Sequence, residues 1–357
     1  MGSVTMRCPS LIPSSLRVLF FGSDTFASLH LAAILASKSV SRVEVVCPPN
    51  RVRSRKAAEI HPTKALALQH NLPVHEPDAS IGFRMKGWHC PDPSRFDIGV
   101  VVSFGYRIPD SILRQFHFGM VNVHPSLLPR WRGASPIQRA LLNDDGVTGV
   151  TIMDLNASKM DSGDILCQQA LKIEENDTFS SLSKRLSCIG SQSLVHTLEA
   201  IRTGTCERTS QESSALDCRK VSRSFRAPKL VRQDAFLDWR RMSARETLLR
   251  WRALKGFMPL YSFWKGNRVI IHDLDVSATR QFSGIFLRPG HVMFCVKKKL
   301  LLIGCADSQV VACSHLQLAT RKPIHAFDFA NGYHIPRFHN DSHNAGQHHL
   351  CFDDTVP

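Results

Sequence analysis

The chain has 357 residues, of which 43% are hydrophobic and 21% charged, as is ordinary for a protein that buries a core. This length predicts two domains. The net charge of +15 is not ordinary and points to a polyanionic partner, either nucleic acid or an anionic membrane surface. Between Arg226 and Pro336 there are 18 basic and 7 acidic residues. The excess is therefore concentrated in the C-terminal third, where it predicts a binding face.

The eleven cysteines are scattered, with no C-x-x-C pair and no repeated spacing. This pattern argues against a zinc ribbon and against a disulfide framework. We expect reduced thiols in an intracellular protein and no metal site. No apolar run approaches the roughly 18–20 residues that cross a bilayer, so no membrane partner is expected.

The N-terminus has the composition of a targeting segment. The first 23 residues contain two arginines, five serines, one threonine and no acidic residue. This is permissive for a mitochondrial transit peptide, although the apolar run from Leu16 to Phe21 already predicts a strand. Residues 1–15 are expected to be a residual targeting segment.

From residue 16 to residue 203, short apolar runs alternate with segments of helical periodicity. The predicted strands are 17–21, 43–47, 98–103, 120–123, 147–155 and 164–173. Near-continuous hydrophobic strands separated by helices indicate an α/β domain with a Rossmann-like, doubly wound and mostly parallel sheet. The first turn, at Gly22, lacks the other glycines of a dinucleotide-binding fingerprint, and Asp24 is predicted to cap the following helix.

The remaining chain changes character at residue 204. Residues 204–226 are polar and without periodicity, which predicts a linker. Residues 227–336 contain one amphipathic helix, followed by short strand-like runs broken by glycines and polar residues. This predicts a small OB-like β-barrel. Residues 337–357 are rich in histidine and predict a disordered tail.

The stretch VNVHPSLLPRWRGASP, residues 121–136, carries the first catalytic signal. Strand alternation puts Asn122 and His124 on the same side. Pro125 and Pro129 then prevent the segment from continuing as strand. Asn offers a neutral NH₂ donor, and His offers a donor that can also carry charge. Together they suit a site that polarises a carbonyl and holds a developing oxyanion.

A second signal lies in LNASKMDSGDIL, residues 155–166, which connects two predicted strands. Asp161, Gly163 and Asp164 fall where the chain turns, and glycine permits a close backbone approach. An acid near a histidine favours the charged imidazole and can relay a proton. Either aspartate could instead cap a turn, and spacing alone does not choose between them.

A basic run, RVRSRK, follows the second predicted strand and is a candidate phosphate-binding loop. Its cations are Arg51, Arg53, Arg55 and Lys56. In an open α/β sheet, ligands bind outside the carboxyl ends of the strands, where this run is placed. The alternative interpretation is a solvated loop.

With these residues in place, the sequence resembles the methionyl-tRNA formyltransferase family. The motifs N-x-H-P-S-L-L-P-x-x-R-G-x-x-P (122–136), G-V-T-I-M (149–153) and D-S-G-D (161–164) match it in order and approximate spacing. The first βα turn, SFGYRIP (103–109), GFMPLYSFWKGNRVIIHD and HLQLATRKP extend the resemblance to about residues 16–335. The catalytic domain of that family is shared with glycinamide ribonucleotide, sugar and formyltetrahydrofolate-hydrolysing relatives, whereas the glycinamide enzyme lacks the β-barrel.

The resemblance implies formyl transfer from 10-formyltetrahydrofolate to the α-amine of methionyl initiator tRNA, without a metal. It implies that Asn122 and protonated His124 stabilise the tetrahedral oxyanion, while Asp161 supports the imidazolium and accepts or relays the amine's proton. The implied folate-binding residues are Tyr106, Arg107, Ile108, Ser126, Leu127, Leu128, Pro129, Asp154, Leu155 and Asn156. The stretch from Ser126 to Arg132 would also line the aminoacyl side.

The tRNA-binding residues expected from the resemblance and from charge are Arg51, Arg53, Arg55, Lys56, Arg132, Lys297, Lys298 and Lys299. The basic run departs from the family pattern because it lacks the usual glycine, and Y-R-I at 106–108 replaces more apolar residues. The missing glycine bears on the conformation of the basic run, and the Y-R-I replacement bears on the folate role of Arg107.

Two alternatives remain at this point. A formyltetrahydrofolate hydrolase or amino-sugar formyltransferase would use the same three catalytic residues but would not explain the basic second domain. A non-catalytic RNA-binding protein would explain the charge and leave Asn122, His124 and Asp161 without a role. A formylated initiator belongs to bacterial-type translation. The high pI, the cysteines and the divergent loop favour the mitochondrial matrix as the location of the protein. A monomer is expected.

Overall fold

The computed structural model describes residues 12–50, 59–78, 82–85, 87–156, 159–214, 226–318, 320–338 and 351–352. The described chain divides into two compact units. The first unit is drawn from Met1–Pro136, Val147–Lys172 and Ser183–Pro228, and the second from Ile137–Gly146, Ile173–Leu182 and Lys229–Pro357.

The first unit is built on one large sheet. The strands of the first unit are β1 (Leu16–Gly22), β2 (Val40–Val46), β3 (Val74–His75), β4 (Ile98–Val102), β5 (Met120–His124), β6 (Arg132–Gly133), β7 (Val147–Asp154), β8 (Ile165–Lys172) and β9 (Arg226–Ala227). Seven of them pair in the order β3-β2-β1-β4-β5-β7-β8, while β6 and β9 form a separate parallel pair. The pairs from β3 to β5 are parallel, and β7 and β8 are antiparallel. The predicted doubly wound, mostly parallel sheet is confirmed.

The central strands are apolar, and helices alternate with strands along the chain. The helices up to residue 214 are α1 (Thr25–Ala36), α2 (Pro62–Gln69), α3 (Asp110–Leu113), α4 (Pro136–Leu142), α5 (Phe179–Thr203) and α6 (Gln211–Ser214). All five residues of β4 are buried, as expected for a parallel strand with both faces covered. Asp24 caps α1 because its Oδ1 accepts a hydrogen bond from the Ala27 amide at 2.9 Å, which confirms the predicted cap.

The strand order places a ligand site at the carboxyl ends of the central strands. The winding direction reverses between β1 and β4, and a crevice forms at such a reversal in open α/β sheets. The Ser23 hydroxyl donates to the Ser103 carbonyl at 2.6 Å and so joins the ends of these two strands. The next strand, β5, carries Asn122 and His124 at its carboxyl end.

A buried histidine makes the first unit sensitive to acid. His30 of α1 is fully buried, and its Nδ1 lies 2.8 Å from the Phe26 carbonyl oxygen. Its Nε2 faces Gly190 of α5 so closely that a Cβ there would lie 2.8 Å away. Burial lowers the pKa of His30 from 6.5 to about 4. The native state therefore resists protonation of this ring.

We expect His30→Leu to remove part of the acid sensitivity of the fold. Because the folded pKa lies below the unfolded one, stability is complete above pH 6.5 and falls as the pH drops towards 4. The loss from this one ring is about 3 kcal/mol. Urea unfolding at several pH values should show a shallower fall in the variant. Leucine at the exposed His89 is the control, and a wild-type slope in His30→Leu would contradict the assignment.

The second unit is mostly β. Its strands are β10 (Leu260–Trp264), β11 (Asn267–Leu274), β12 (Val292–Cys295), β13 (Leu300–Gly304), β14 (Val310–Leu318), β15 (Ile324–His325) and β16 (Arg337–Phe338). They pair in the order β10-β11-β14-β13-β12-β16, with β15 on β14. Its main helices are α7 (Ala244–Leu254), α8 (Val276–Gln281) and α9 (Ala326–Gly332). The predicted β-rich C-terminal domain with one leading amphipathic helix is confirmed.

The C-terminal segment differs from the predicted disordered tail in two places. Phe338 pairs in parallel with Cys295 of β12, as part of β16. Phe352 is fully buried, with its ring centroid 5.6 Å from that of Trp239 and 5.1 Å from that of Trp264. Phe338 and Phe352 therefore pack against the second unit, although the surrounding sequence is mostly polar.

Candidate active site

Asn122 and His124 are held by a strand that is paired on both sides. Within β5, Asn122 is opposite Val101 of β4 and Met153 of β7, and His124 is opposite Thr151 of β7. The two side chains project from the same face, two residues apart. The His124 side chain is only 5% exposed, whereas Asn122 is partly exposed. A strand with neighbours on both edges gives these donors a fixed backbone.

The loop after β5 is fastened to the sheet by side chains. The Thr151 hydroxyl donates to the Ser126 carbonyl at 2.7 Å and accepts from the Leu128 amide at 3.1 Å. The Gln168 amide of β8 donates to the Leu128 carbonyl at 2.7 Å and to the Thr151 hydroxyl at 3.0 Å. The Ser126 hydroxyl donates to the Arg130 carbonyl at 2.7 Å. These hydrogen bonds, from the neighbouring strands and within the loop, fix the conformation of the loop.

The His124 ring lies between two acceptors. Its Nε2 is 3.0 Å from the carbonyl oxygen of Trp131, a residue with φ of 62°. Its Nδ1 is 3.9 Å from Oδ1 of Asp161. A carbonyl oxygen can only accept a hydrogen bond, so Nε2 is the donor to Trp131. Because Nε2 is engaged by Trp131, Nδ1 is the nitrogen that can turn to a reacting group.

Asp161 occupies a tight turn between β7 and β8. Its φ is 53°, a left-handed conformation that few residues other than glycine adopt. Its Oδ2 accepts from the Gly133 amide at 2.9 Å. The structure therefore brings His124 and Asp161 together, with Asn122 on the same face of β5 as His124.

Gly163 lets this turn approach β7 closely. A Cβ at Gly163 would lie 1.7 Å from the Asp154 carbonyl oxygen, so the position requires glycine. The Asp154 amide also donates to the Asp164 carbonyl at 2.9 Å. Burial raises the pKa of Asp154, while the Arg208 guanidinium, which donates to its Oδ2 at 2.8 Å, opposes that shift.

The first half of the predicted linker lies against this turn. Thr209 and Ile165 exchange two backbone hydrogen bonds of 2.8 and 2.9 Å. Gln211 is only 3% exposed, and its side chain bonds to Arg132 and to backbone carbonyls of the Asp161 turn. Nothing in the polar, aperiodic sequence indicated that Arg208 and Gln211 belong to the site.

The predicted folate residues fall into two groups. Arg107, Ile108 and Asn156 line a cleft of about 820 Å³. Tyr106 packs on Phe104, with ring centroids 5.4 Å apart. The remaining ones lie in the fastened loop or beside the Asp161 turn: Ser126, Leu127, Leu128, Pro129, Asp154 and Leu155. Ser126 is fully buried, so its hydroxyl serves the loop.

The predicted tRNA residues are only partly described by the structure. Arg51, Arg53, Arg55 and Lys56 lie outside the described residues. Lys297, Lys298 and Lys299 are exposed on the turn between β12 and β13, where the Lys298 amine donates to Gln281. Arg132 is half-buried beside the Asp161 turn. Burial lowers the pKa of Arg132, and the nearby Asp161 carboxylate opposes this shift.

The described residues also bear on metal and membrane binding. Within the described ranges, no group of three or more His, Cys, Asp or Glu side chains could hold a metal ion. No helix in the part of the chain that the structure describes is long and apolar enough to span a bilayer.

The α/β sheet of the first unit and the β-rich second unit, together with the family matches, place the chain in a class of group-transfer enzymes. The chain belongs to the formyl transferase family, whose model matches residues 16–198, and a model of the formyl transferase C-terminal domain matches residues 229–334. It is similar to the mitochondrial methionyl-tRNA formyltransferase of Homo sapiens, with 31% identity over 338 residues, 91% of this chain and 80% of the relative. The Mus musculus protein of that name is 31% identical over 92% of this chain and 81% of its own length. The chain is thus a formyl-transferring enzyme.

Two solved structures share the fold. HypX from Aquifex aeolicus in complex with tetrahydrofolic acid has a TM-score of 0.59 at 16% identity, over 95% of this chain and 50% of that chain. WlaRD, a sugar 3N-formyl transferase, has a TM-score of 0.56 at 14% identity, over 87% of this chain and 100% of that chain. At these identities the likeness concerns the fold alone.

Proposed function

We propose that the chain transfers the formyl group of 10-formyltetrahydrofolate to the α-amine of methionyl initiator tRNA. The observation that carries this is His124, held between the Trp131 carbonyl and the Asp161 carboxylate, with Asn122 two residues before it on β5. The similarity to proteins named mitochondrial methionyl-tRNA formyltransferase over 91% of the chain supports the choice of acceptor.

The reaction requires a new bond from the acceptor nitrogen to the formyl carbon, and the loss of the bond from that carbon to N10 of the folate. The carbonyl oxygen becomes negatively charged in between. The Asn122 amide and His124 Nδ1–H are the proposed donors to this oxygen. Asp161 stabilises the imidazolium and takes up the amine's proton, which is then relayed to N10 so that the folate leaves protonated. The 3.9 Å between His124 and Asp161 is compatible with this role, since catalytic hydrogen bonds are often long before substrate binds.

The cleft that Arg107, Ile108 and Asn156 line is the proposed folate site. Met85, Trp88 and Ile108 give it an apolar wall, and Met85 and Ile108 are also part of a buried hydrophobic cluster. A flat pterin ring suits such a wall. Arg84 and Arg107 line the same cleft and provide cations for the carboxylates of the glutamyl end.

The proposed tRNA role rests on charge. Residues 226–336 carry a local excess of basic side chains, and Lys297, Lys298 and Lys299 are exposed there. The basic run at 51–56 adds four cations after β2. Such cations bind phosphates and release counterions, so affinity falls with salt.

We expect Arg53→Ala and Arg55→Ala each to weaken tRNA binding and to flatten its salt dependence. Removing one arginine–phosphate interaction should reduce the log–log slope by roughly 0.7–0.9. Filter binding of tRNA across a salt series measures this, with folate affinity as an independent readout that should not change. Lys38→Ala, an exposed cation at the opposite end of β2, is the matched control. If neither arginine variant alters the slope, the run is not part of the tRNA site.

A direct acceptor comparison separates the proposed function from its relatives. The enzyme is incubated with 10-formyltetrahydrofolate and either methionyl-tRNA, free methionine, an amino sugar or buffer alone, and the products are analysed by mass spectrometry. Formylmethionyl-tRNA formed only with the charged tRNA is the expected result. Formate release without tRNA would indicate a hydrolase, a formylated sugar would indicate an amino-sugar formyltransferase, and tRNA binding without transfer would indicate an RNA-binding protein.

We further propose that the enzyme acts as a monomer in the mitochondrial matrix. The mitochondrial names of its relatives support the organelle, and the matrix is where formylated initiator tRNA would be used. Light scattering should give one chain mass of 40.0 kDa. Fractionation of mitochondria into matrix and membrane-bound compartments tests the location.

A further inference from the structure

We propose that Gln211 is a positioning residue for formyl transfer, which holds the Asp161 turn and the Arg132 guanidinium apart so that the Asp161 carboxylate stays directed at His124. This rests on the proposed function to the extent that Asp161 takes part in the transfer. Gln211 acts through its bonds to the Asp161 turn and to Arg132, and we do not expect it to contact the reacting atoms.

The Gln211 side chain is fully used by the site. Its Nε2 donates to the Gly163 carbonyl at 2.8 Å and to the Asp161 carbonyl at 3.1 Å. Its Oε1 accepts from Nε of Arg132 at 2.9 Å and from Nη2 of the same guanidinium. A buried primary amide has two donor hydrogens and one carbonyl oxygen, and each has a partner here.

The two donor bonds brace a turn that is unfavourable by itself. Asp161 has a φ of 53°, which L-residues adopt at a cost in free energy. Gln211 binds the carbonyls of Asp161 and Gly163, two residues apart in this turn. The amide therefore fixes the peptide plane that follows Asp161 and the one that follows Gly163, and through this turn the direction of the Asp161 carboxylate.

The acceptor bonds control a competing cation. Arg132 and Gly133 are consecutive in β6, and the Gly133 amide donates to Oδ2 of Asp161 at 2.9 Å. The guanidinium of Arg132 is therefore close to the carboxylate, yet its Nε and Nη2 are bound to Gln211. Without that acceptor, the half-buried guanidinium would pair with the nearest anion, because a charged hydrogen bond is strong. An Arg132–Asp161 ion pair would draw the carboxylate from His124.

The position of Gln211 is itself fixed. Two residues earlier, Thr209 is bonded to Ile165 at the start of β8 through both its amide and its carbonyl. Since β8 belongs to the main sheet, the segment that carries Gln211 is anchored to the same framework as β5 and β7. The brace thus connects rigid parts of the first unit.

The test compares Gln211→Leu with wild type in steady-state formylation. A displaced catalytic group costs about 10²-fold in turnover, so we expect kcat to fall by about this factor while KM for tRNA and for folate changes little. Gln69→Leu, an exposed glutamine in the same unit, is the matched control.

Two further variants separate positioning from simple loss of folding. Adding Arg132→Met to Gln211→Leu removes the competing cation, and part of kcat should return, a coupling that a double-mutant cycle measures. Gln211→Glu keeps an acceptor for Arg132 but cannot donate to the two carbonyls, so its kcat should also fall. If Gln211→Leu does not fold, the kcat of Gln211→Glu tests the positioning role instead. Wild-type kcat in a folded Gln211→Leu or Gln211→Glu enzyme would overturn the inference.

The outcome is distinct from a failure of the proposed function. If the wild-type enzyme does not formylate methionyl-tRNA, the proposed function is wrong. If it does and the Gln211 variants do so equally well, only the positioning role is wrong.

Discussion

Alanine at His124 is expected to reduce the rate of formyl transfer about 10²–10³-fold, the usual cost of losing one oxyanion donor. Asn122→Ala and Asp161→Asn should each lose most turnover as well, the first through a donor and the second through the partner of the imidazolium. All three side chains lie in the first unit, whereas most of the basic excess lies beyond residue 226. Binding of tRNA should therefore persist in all three variants.

Single-turnover formylation with enzyme in excess measures the transfer step without product release. The exposed His117 provides the control, because His117→Ala removes an imidazole from the same unit without touching the site. Thermal unfolding of each variant shows whether the fold is retained. A near-normal single-turnover rate in any one of the three variants would remove that residue from the mechanism.

Alanine at Gly163 should be nearly as damaging, although it adds only one methyl group. Its Cβ would lie 1.7 Å from the Asp154 carbonyl oxygen, whereas such contacts essentially never fall below 3.0 Å. The obstacle is backbone and cannot rotate away, so the two chain segments must separate by more than an ångström. Since Asp161 lies two residues earlier in the same turn, we expect a loss of about 10²-fold in turnover, and a loss of about 1–3 kcal/mol in stability from overpacking.

Gly146→Ala is the matched control, because a Cβ at that position would meet nothing within 4 Å. Turnover and the free energy of unfolding should both stay near wild type in this variant. Wild-type turnover in Gly163→Ala would mean that the turn yields without moving Asp161.

The parts of the fold that follow from periodicity were predictable from the sequence. The apolar runs of β1, β4 and β5 indicated the parallel sheet, because strands covered on both faces need continuous hydrophobic residues. Asn122 and His124 were recognisable because a polar pair at the end of such a strand conflicts with a core role. Asp161 required the family resemblance, since Asp164 satisfied the spacing equally well.

The remainder depends on contacts that no local pattern encodes. Gln211 lies in a polar segment that reads as a linker, and only the three-dimensional approach of Thr209 to Ile165 brings it to the site. Phe352 lies in a mostly polar tail, and its burial depends on two tryptophans that are distant in the sequence. Ser126 was predicted to bind folate, and its structural role is visible only from the hydrogen bond that its hydroxyl donates to the Arg130 carbonyl.

The pairing of β6 with β9 has a consequence for how sequence variants of this enzyme are interpreted. A Cβ at Gly133 would lie 2.3 Å from the Ala227 carbonyl oxygen, so the far end of the segment after α5 also touches the loop that follows His124. Both Gln211 and Ala227 lie beyond residue 198, where the match to the catalytic family model ends. Substitutions at Gln211 and Ala227, which a domain map would place in a spacer between the two matched domains, should therefore appear as catalytic defects.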